Sequence, residues 1–203
     1  IKYKNLINED KMSEKIGISP EISQILKNRD IITEKDAEIF MNPSLDYLRD
    51  PFLMKDMQKG VDRIKEAIEK NQRIFIYGDY DVDGVCATTI LTQALREHGA
   101  NAAYRIPSRH NEGYGLNAEA VREIAAEYEL LITVDCGITS VAEAALAREL
   151  GLKLVVTDHH EPPERLPQAD AVVDPLLGAG CGRGLCGAGV ALKIVQGLWG
   201  LEA

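Results

Sequence analysis

Five short apolar runs separated by helix-length stretches constrain this chain more than any other feature. The runs lie near 73–78, 101–106, 130–134, 153–157 and 171–173, and amphipathic stretches near 84–98, 117–128, 139–150 and 188–199 alternate with them. Runs of Val, Ile and Leu too short for a helix read as strands buried on both faces, which is the signature of a parallel sheet. Parallel neighbours need a crossover connection, and the intervening helices supply it on the two faces of the sheet. Gly99 and Gly151 stand where helix C-caps belong. The expected fold class is therefore α/β, a parallel sheet with helices on both faces, preceded by a small helical segment.

That leading segment carries its own punctuation. Ser19-Pro20-Glu21 is a helix start, a capping side chain followed by proline at the first helical position. Thr33 with Asp36 three residues on repeats the signal, and Asn42-Pro43 closes the helix. A third helix is predicted from Lys55 to Lys70, with Met57, Val61, Ile64 and Ile68 on one face. The division by pattern is 1–54 for the helical segment and 55–203 for the α/β domain.

Ligands of open α/β sheets collect outside the carboxyl ends of the strands. Here three strand ends each deliver metal-ligand chemistry. The first runs into Gly78-Asp79-Tyr80-Asp81-Val82-Asp83-Gly84, the third stops at Asp135, and the fourth stops at Asp158-His159-His160. Alternate residues of an extended chain leave on one side, so Asp79, Asp81 and Asp83 can share a crevice, with Gly84 allowing a sharp turn into the next helix. Crowded carboxylates raise one another's pKa, and a bound cation relieves that repulsion. Mixed carboxylate and imidazole donors suit manganese or another first-row ion better than calcium. The calcium-loop reading of Asp79-x-Asp81-x-Asp83-Gly84 fails twice: its twelfth position is Ile90, and a strand rather than a helix precedes it.

Other features exclude more than they assign. A formal net charge of −9 argues against a general nucleic-acid-coating surface, though not against a nuclease whose acids hold cations. No apolar run approaches the roughly 20 residues of a membrane span, and no signal-peptide layout opens the chain, so no membrane partner and a cytoplasmic location are expected. Cys86 and Cys136 read as small buried residues, while Cys181 and Cys186 lack the spacing of a zinc site. Gly182-x-Gly184-x-x-Gly187 matches a dinucleotide fingerprint on paper but follows a glycine-rich loop, not a strand.

GDYDVDG, VDCGITS and TDHHEPPE, in this order, resemble the motifs of the DHH phosphoesterase family. IYGDYDVDG, IPSRHNEGYGLN and LCGAGVALK narrow the resemblance to its bacterial branch of exonucleases that digest single-stranded DNA from 5′ to 3′. The resemblance implies a DHH-type catalytic domain with a pair of Mn2+ or Mg2+ ions. Asp79 and Asp81 would serve one ion, Asp83 and His159 the other, with Asp135 bridging. His160 would face the scissile phosphate and Asp158 would orient a histidine from behind, which leaves Asp81, Asp83, Asp135 and His160 nearest the chemistry. In RIPSRH, Arg105, Arg109 and His110 are the candidate nucleic-acid contacts, since guanidinium suits bidentate contact with phosphate. Tyr114 would pack in the following loop.

Single-stranded DNA is the implied partner, in recombination and repair; protein partners such as single-strand-binding proteins are not readable from the residues. Relatives acting on short RNA, cyclic dinucleotides or polyphosphate tend to carry histidine where Tyr77 stands, and non-catalytic relatives have lost ligands that are all present here. Gly182-Arg183-Gly184 departs from the aromatic and proline turn usual in this branch. Such relatives continue past the last helix into a strand bearing a further metal-binding aspartate and then a second domain. The resemblance therefore implies a catalytic core truncated at its C-terminal end.

Overall fold

The computed structural model describes residues 11–108, 115–178 and 184–200. The chain forms two compact units, Ile1–Arg49 and Asp50–Ala203.

In the first unit, α1 (Lys11–Ile16), α2 (Pro20–Asn28) and α3 (Glu34–Met41) enclose a small core of Met12, Leu26 and Ala37. Both capping signals act as their chemistry requires. The Ser19 hydroxyl accepts from Ile22 N at 3.4 Å, and the Thr33 hydroxyl accepts from Asp36 N at 3.1 Å, so each satisfies an amide that has no partner within its helix.

The second unit is built on five parallel strands. They are β1 (Ile74–Tyr77), β2 (Ala102–Arg105), β3 (Leu130–Val134), β4 (Lys153–Thr157) and β5 (Ala171–Val173), in the order β2-β1-β3-β4-β5. Among the described residues five α-helices accompany them: α4 (Met57–Glu69), α5 (Val82–Glu97), α6 (Ala118–Glu127), α7 (Val141–Glu149) and α8 (Gly187–Trp199).

The two-residue period of the strands sorts their side chains between two cores. Ile74, Ile76, Leu130, Ile132, Val155 and Val173 join α4, α5 and α8 on one face. Tyr77, Leu131, Leu154, Val156 and Val172 join α6 and α7 on the other. All five residues of β3, the central strand, are buried, which is why its sequence is uniformly apolar apart from Thr133. The expected α/β fold class is the one observed. Among the described residues no helix is long and apolar enough to cross a membrane.

Two expectations need correction. Gly84 is not a turn residue: it lies inside the first turn of α5, and its lack of a side chain matters because a Cβ there would fall 2.5 Å from the Asp79 carbonyl oxygen. Cys86 is exposed rather than buried, since it sits on the face of α5 turned from the core, whereas Cys136 is buried as expected.

Candidate metal centre

The carboxyl ends of β1, β3 and β4, adjacent in the sheet, converge on one edge. The extended run expected from Asp79 to Asp83 breaks early: the backbone bends at Tyr80 and at Asp81, the N-cap of α5, whose Oδ1 accepts from Gly84 N at 2.9 Å, so Asp83 already lies in the helix. Asp79 is buried, one of its oxygens has no hydrogen-bond partner among the described residues, and burial pushes its pKa up. Asp83, in the first turn of α5, turns toward α8. Its Oδ2 accepts from Gly187 N at 2.6 Å and its Oδ1 from Ala188 N at 2.8 Å. Burial opposes the charged form of Asp83, but the Ala188 N–H, the Cys186 thiol and the Gly187 N–H together hold its pKa below the usual carboxylate value.

Asp135, at the end of β3, is only 1% exposed and takes a left-handed backbone conformation with φ of 59°. Neither of its carboxylate oxygens has a hydrogen-bond partner among the described residues. Burial first, then the charges of Asp83 and Asp81, raise its pKa to about 8. His159 Nε2 lies 3.1 Å from Asp135 Oδ1 and 3.4 Å from Asp83 Oδ2, close contacts that lack the alignment of hydrogen bonds.

Asp158 has a different task. Its Oδ1 accepts from His159 N at 2.8 Å and His160 N at 3.2 Å, and pairs with His160 Nδ1 at 2.7 Å. Its Oδ2 accepts from Ile138 N at 2.9 Å, tying the end of β4 to the loop after β3. Because a carboxylate accepts, the proton of this pair sits on His160 Nδ1. Desolvation would lower the pKa of His160, but the bond to Asp158 and that residue's charge raise it overall. Asp158 thus faces its neighbours as a buried orienting group.

Two overlapping sets of donors result. Asp79, Asp81 and Asp135 bring one oxygen each within 4.8 Å of one another, and Asp135, His159 and His160 do the same with an oxygen and two ring nitrogens. Asp135 belongs to both. Buried carboxylate oxygens without donors beside like charges are costly in a metal-free state. These residues therefore fit divalent cations, with hard oxygen donors on one side and mixed oxygen and nitrogen donors on the other.

Of the candidate nucleic-acid contacts, Arg105 ends β2 and pairs with Glu123 at 2.8 Å, both side chains partly exposed. Arg109, His110 and Tyr114, with Cys181, Gly182 and Arg183, lie outside the described residues. The described residues between Val173 and Gly187 contain no strand, so the fingerprint spacing there has no dinucleotide context.

Asp174 escaped the sequence reasoning. It ends β5, is fully buried, accepts from Leu176 N at 2.7 Å through Oδ1, and has an Oδ2 without a partner among the described residues. Burial lifts its pKa to about 6. The signal that could have found it is the one that found Asp135, an acid stopping an apolar run.

Fold and site together define a parallel α/β domain with a cluster of carboxylates and imidazoles at its carboxyl edge that could hold metal ions. Residues 73–202 match the DHH family, N-terminal domain, and the chain belongs to that family. It is 42% identical over 193 residues to the single-stranded-DNA-specific exonuclease RecJ of Bacillus subtilis (strain 168), covering 93% of this chain and 24% of that protein. The fold is similar to that of RecJ from Thermus thermophilus in complex with Mn2+, with a TM-score of 0.74, 31% identity, and coverage of 92% of this chain and 26% of that one. A crystal structure of exonuclease RecJ bound to manganese gives a TM-score of 0.68 at 39% identity, over 71% of this chain and 37% of that one. The chain spans about a quarter of the length of the curated relatives it matches.

Proposed function

We propose that this chain is the DHH core of a divalent-metal-dependent phosphodiesterase that removes nucleotides from the 5′ end of single-stranded DNA, in the cytoplasm, during repair and recombination. The observation that carries the reading is Asp135, buried, shared by both donor sets and without a hydrogen bond to either oxygen. Similarity to the RecJ exonucleases supports single-stranded DNA as the substrate class and Mn2+ or Mg2+ as the ions, while the 5′ polarity is what the motif resemblance implies. A helical segment over 1–54 and a catalytic domain over 55–203 remain the proposed division.

Asp79, Asp81 and Asp135 would hold one ion, and Asp83 and His159 the other with Asp135 bridging, Asp83 lying 3.4 Å from His159. Bound there, divalent ions supply Lewis-acid stabilisation of phosphate charge and a water acidic enough to attack at neutral pH. The chain's own groups position and neutralise. Asp158 fixes the His160 ring through Nδ1, so the proton-bearing imidazole can offset charge at the scissile phosphate or assist the leaving oxygen. Asp81, as both N-cap and metal donor, keeps the start of α5 in register with the end of β1. Arg105, Arg109 and His110 are the proposed contacts to the DNA backbone, local positive charge on an otherwise acidic protein.

The test is digestion of single-stranded DNA labelled at either end, with manganese, by this chain and by its Asp81→Ala variant. Mononucleotides released from the 5′ end and lost in the variant support the reading. Digestion that persists in Asp81→Ala, or that proceeds from the 3′ end, overturns it.

A further inference from the structure

The amino end of α8 stands closer to the metal acids than any residue but glycine permits. A Cβ built on Gly187 would lie 2.3 Å from Asp135 Oδ1 and 2.6 Å from both the Cβ and Cγ of Asp135, distances that real contacts essentially never show. The same residue's N–H donates to Asp83 Oδ2 at 2.6 Å. One backbone position therefore touches two of the candidate metal acids, which are 52 residues apart in sequence (135 minus 83).

Neither side of this contact has room to yield. Asp135 is 1% exposed, and its left-handed backbone is followed by Gly137, where even a Cβ would fall 2.5 Å from Thr133 Oγ1. Helix α8 is held by both oxygens of Asp83 and by the buried residues Val190, Ala191 and Ile194 packed into the core. A methyl group at 187 must displace the Asp135 carboxylate or lift α8 from Asp83.

We infer that Gly187 is a positioning residue of the metal centre, its bare Cα setting the separation of the Asp83 and Asp135 carboxylates. The inference rests on the proposed metal site and adds a residue that binds no ion itself. Because Asp135 belongs to both donor sets, a displacement there disturbs both ions at once.

Gly197 provides the internal control. It lies on the same helix, and its Cβ would meet Val61 Cγ2 at 2.9 Å, a tight contact inside the core rather than at the site. The experiment is titration of the whole chain with Mn2+, followed by loss of the free-ion paramagnetic resonance signal, for the wild type, Gly187→Ala and Gly197→Ala, with thermal melts in parallel.

Gly187→Ala is expected to weaken Mn2+ binding about 10- to 100-fold, the usual range for removing a group that orients metal ligands, while Gly197→Ala lowers the melting temperature and leaves affinity unchanged. Equal affinity in Gly187→Ala and wild type, or parallel losses in both variants, overturns the inference. A wild-type chain that takes up no Mn2+ removes the metal reading itself, a result visible before any variant is compared. Should Gly187→Ala fail to fold, Gly187→Ala/Asp135→Gly removes both the Cβ and the carboxylate that the methyl strikes, at a left-handed position that glycine tolerates. Recovery of a cooperative melt in the double variant supports the clash, and continued failure overturns it.

Discussion

Replacing Asp135 by asparagine should make the metal-free protein more stable, and increasingly so as the pH rises. The carboxyl group is 1% exposed, lies beside Asp81 and Asp83, and titrates at about 8 in the fold against an ordinary 3.8. A pKa raised on folding means that the native state holds the proton more tightly than the unfolded chain does. The associated stability is complete below about pH 4 and is lost as the pH climbs through about 8. Each pH unit between those limits removes about 1.4 kcal/mol. Asparagine cannot titrate, so its advantage over aspartate should grow by about 4 kcal/mol from about pH 5 to about pH 8, whatever constant offset its unpaired amide introduces. Urea melts of both proteins in chelator, at several pH values, measure that growth directly. Adding Mn2+ at about pH 8 should reverse the order, because a charged carboxylate would bind the ion more tightly than a neutral amide and binding to the native state stabilises it. A stability difference that stays flat with pH would refute the assignment of Asp135 as the strained carboxylate of the centre.

Asp158→Ala leaves the amides of Ile138, His159 and His160 and the His160 ring without their acceptor, and urea melts should record a loss of about 3 kcal/mol or more. Asp81→Ala removes an N-cap and should cost only about 1 kcal/mol in the same assay while abolishing Mn2+-dependent hydrolysis. Arg105→Ala breaks a partly exposed pair with Glu123, and the loss of that pair should move stability by less than about 1 kcal/mol. If Arg105 touches DNA phosphate, binding should weaken and its dependence on the logarithm of salt concentration should flatten by about one, as fluorescence anisotropy would show.

The parts of the molecule legible in the sequence are those governed by local rules. Burial on both faces made β3 and the middle of β4 largely apolar, and each strand end exposed its acid as a break in that run. Ser19 and Thr33 announced α2 and α3 because a capping bond spans only three residues. Asp174 was passed over because β5 is only three residues long, too short for its terminal acid to stand out. Cys86 was misjudged because a place in a buried helix does not say which face of that helix it occupies. The bonds from Gly187 and Ala188 to Asp83 carry no local signal, since they join residues more than a hundred positions apart. Only the packing of α8 against α5 brings them together.

That closure bears on the order in which the protein is made. Synthesis runs from the amino end, so β1 through β5 leave the ribosome before α8 does. A nascent chain halted short of residue 187 already carries Asp79, Asp81, Asp83, Asp135 and the histidine pair, yet the amides that fix Asp83 have not been made. Contacts between such distant segments are the slow steps of folding. The acids are translated early, and the amides that hold Asp83 follow only with α8.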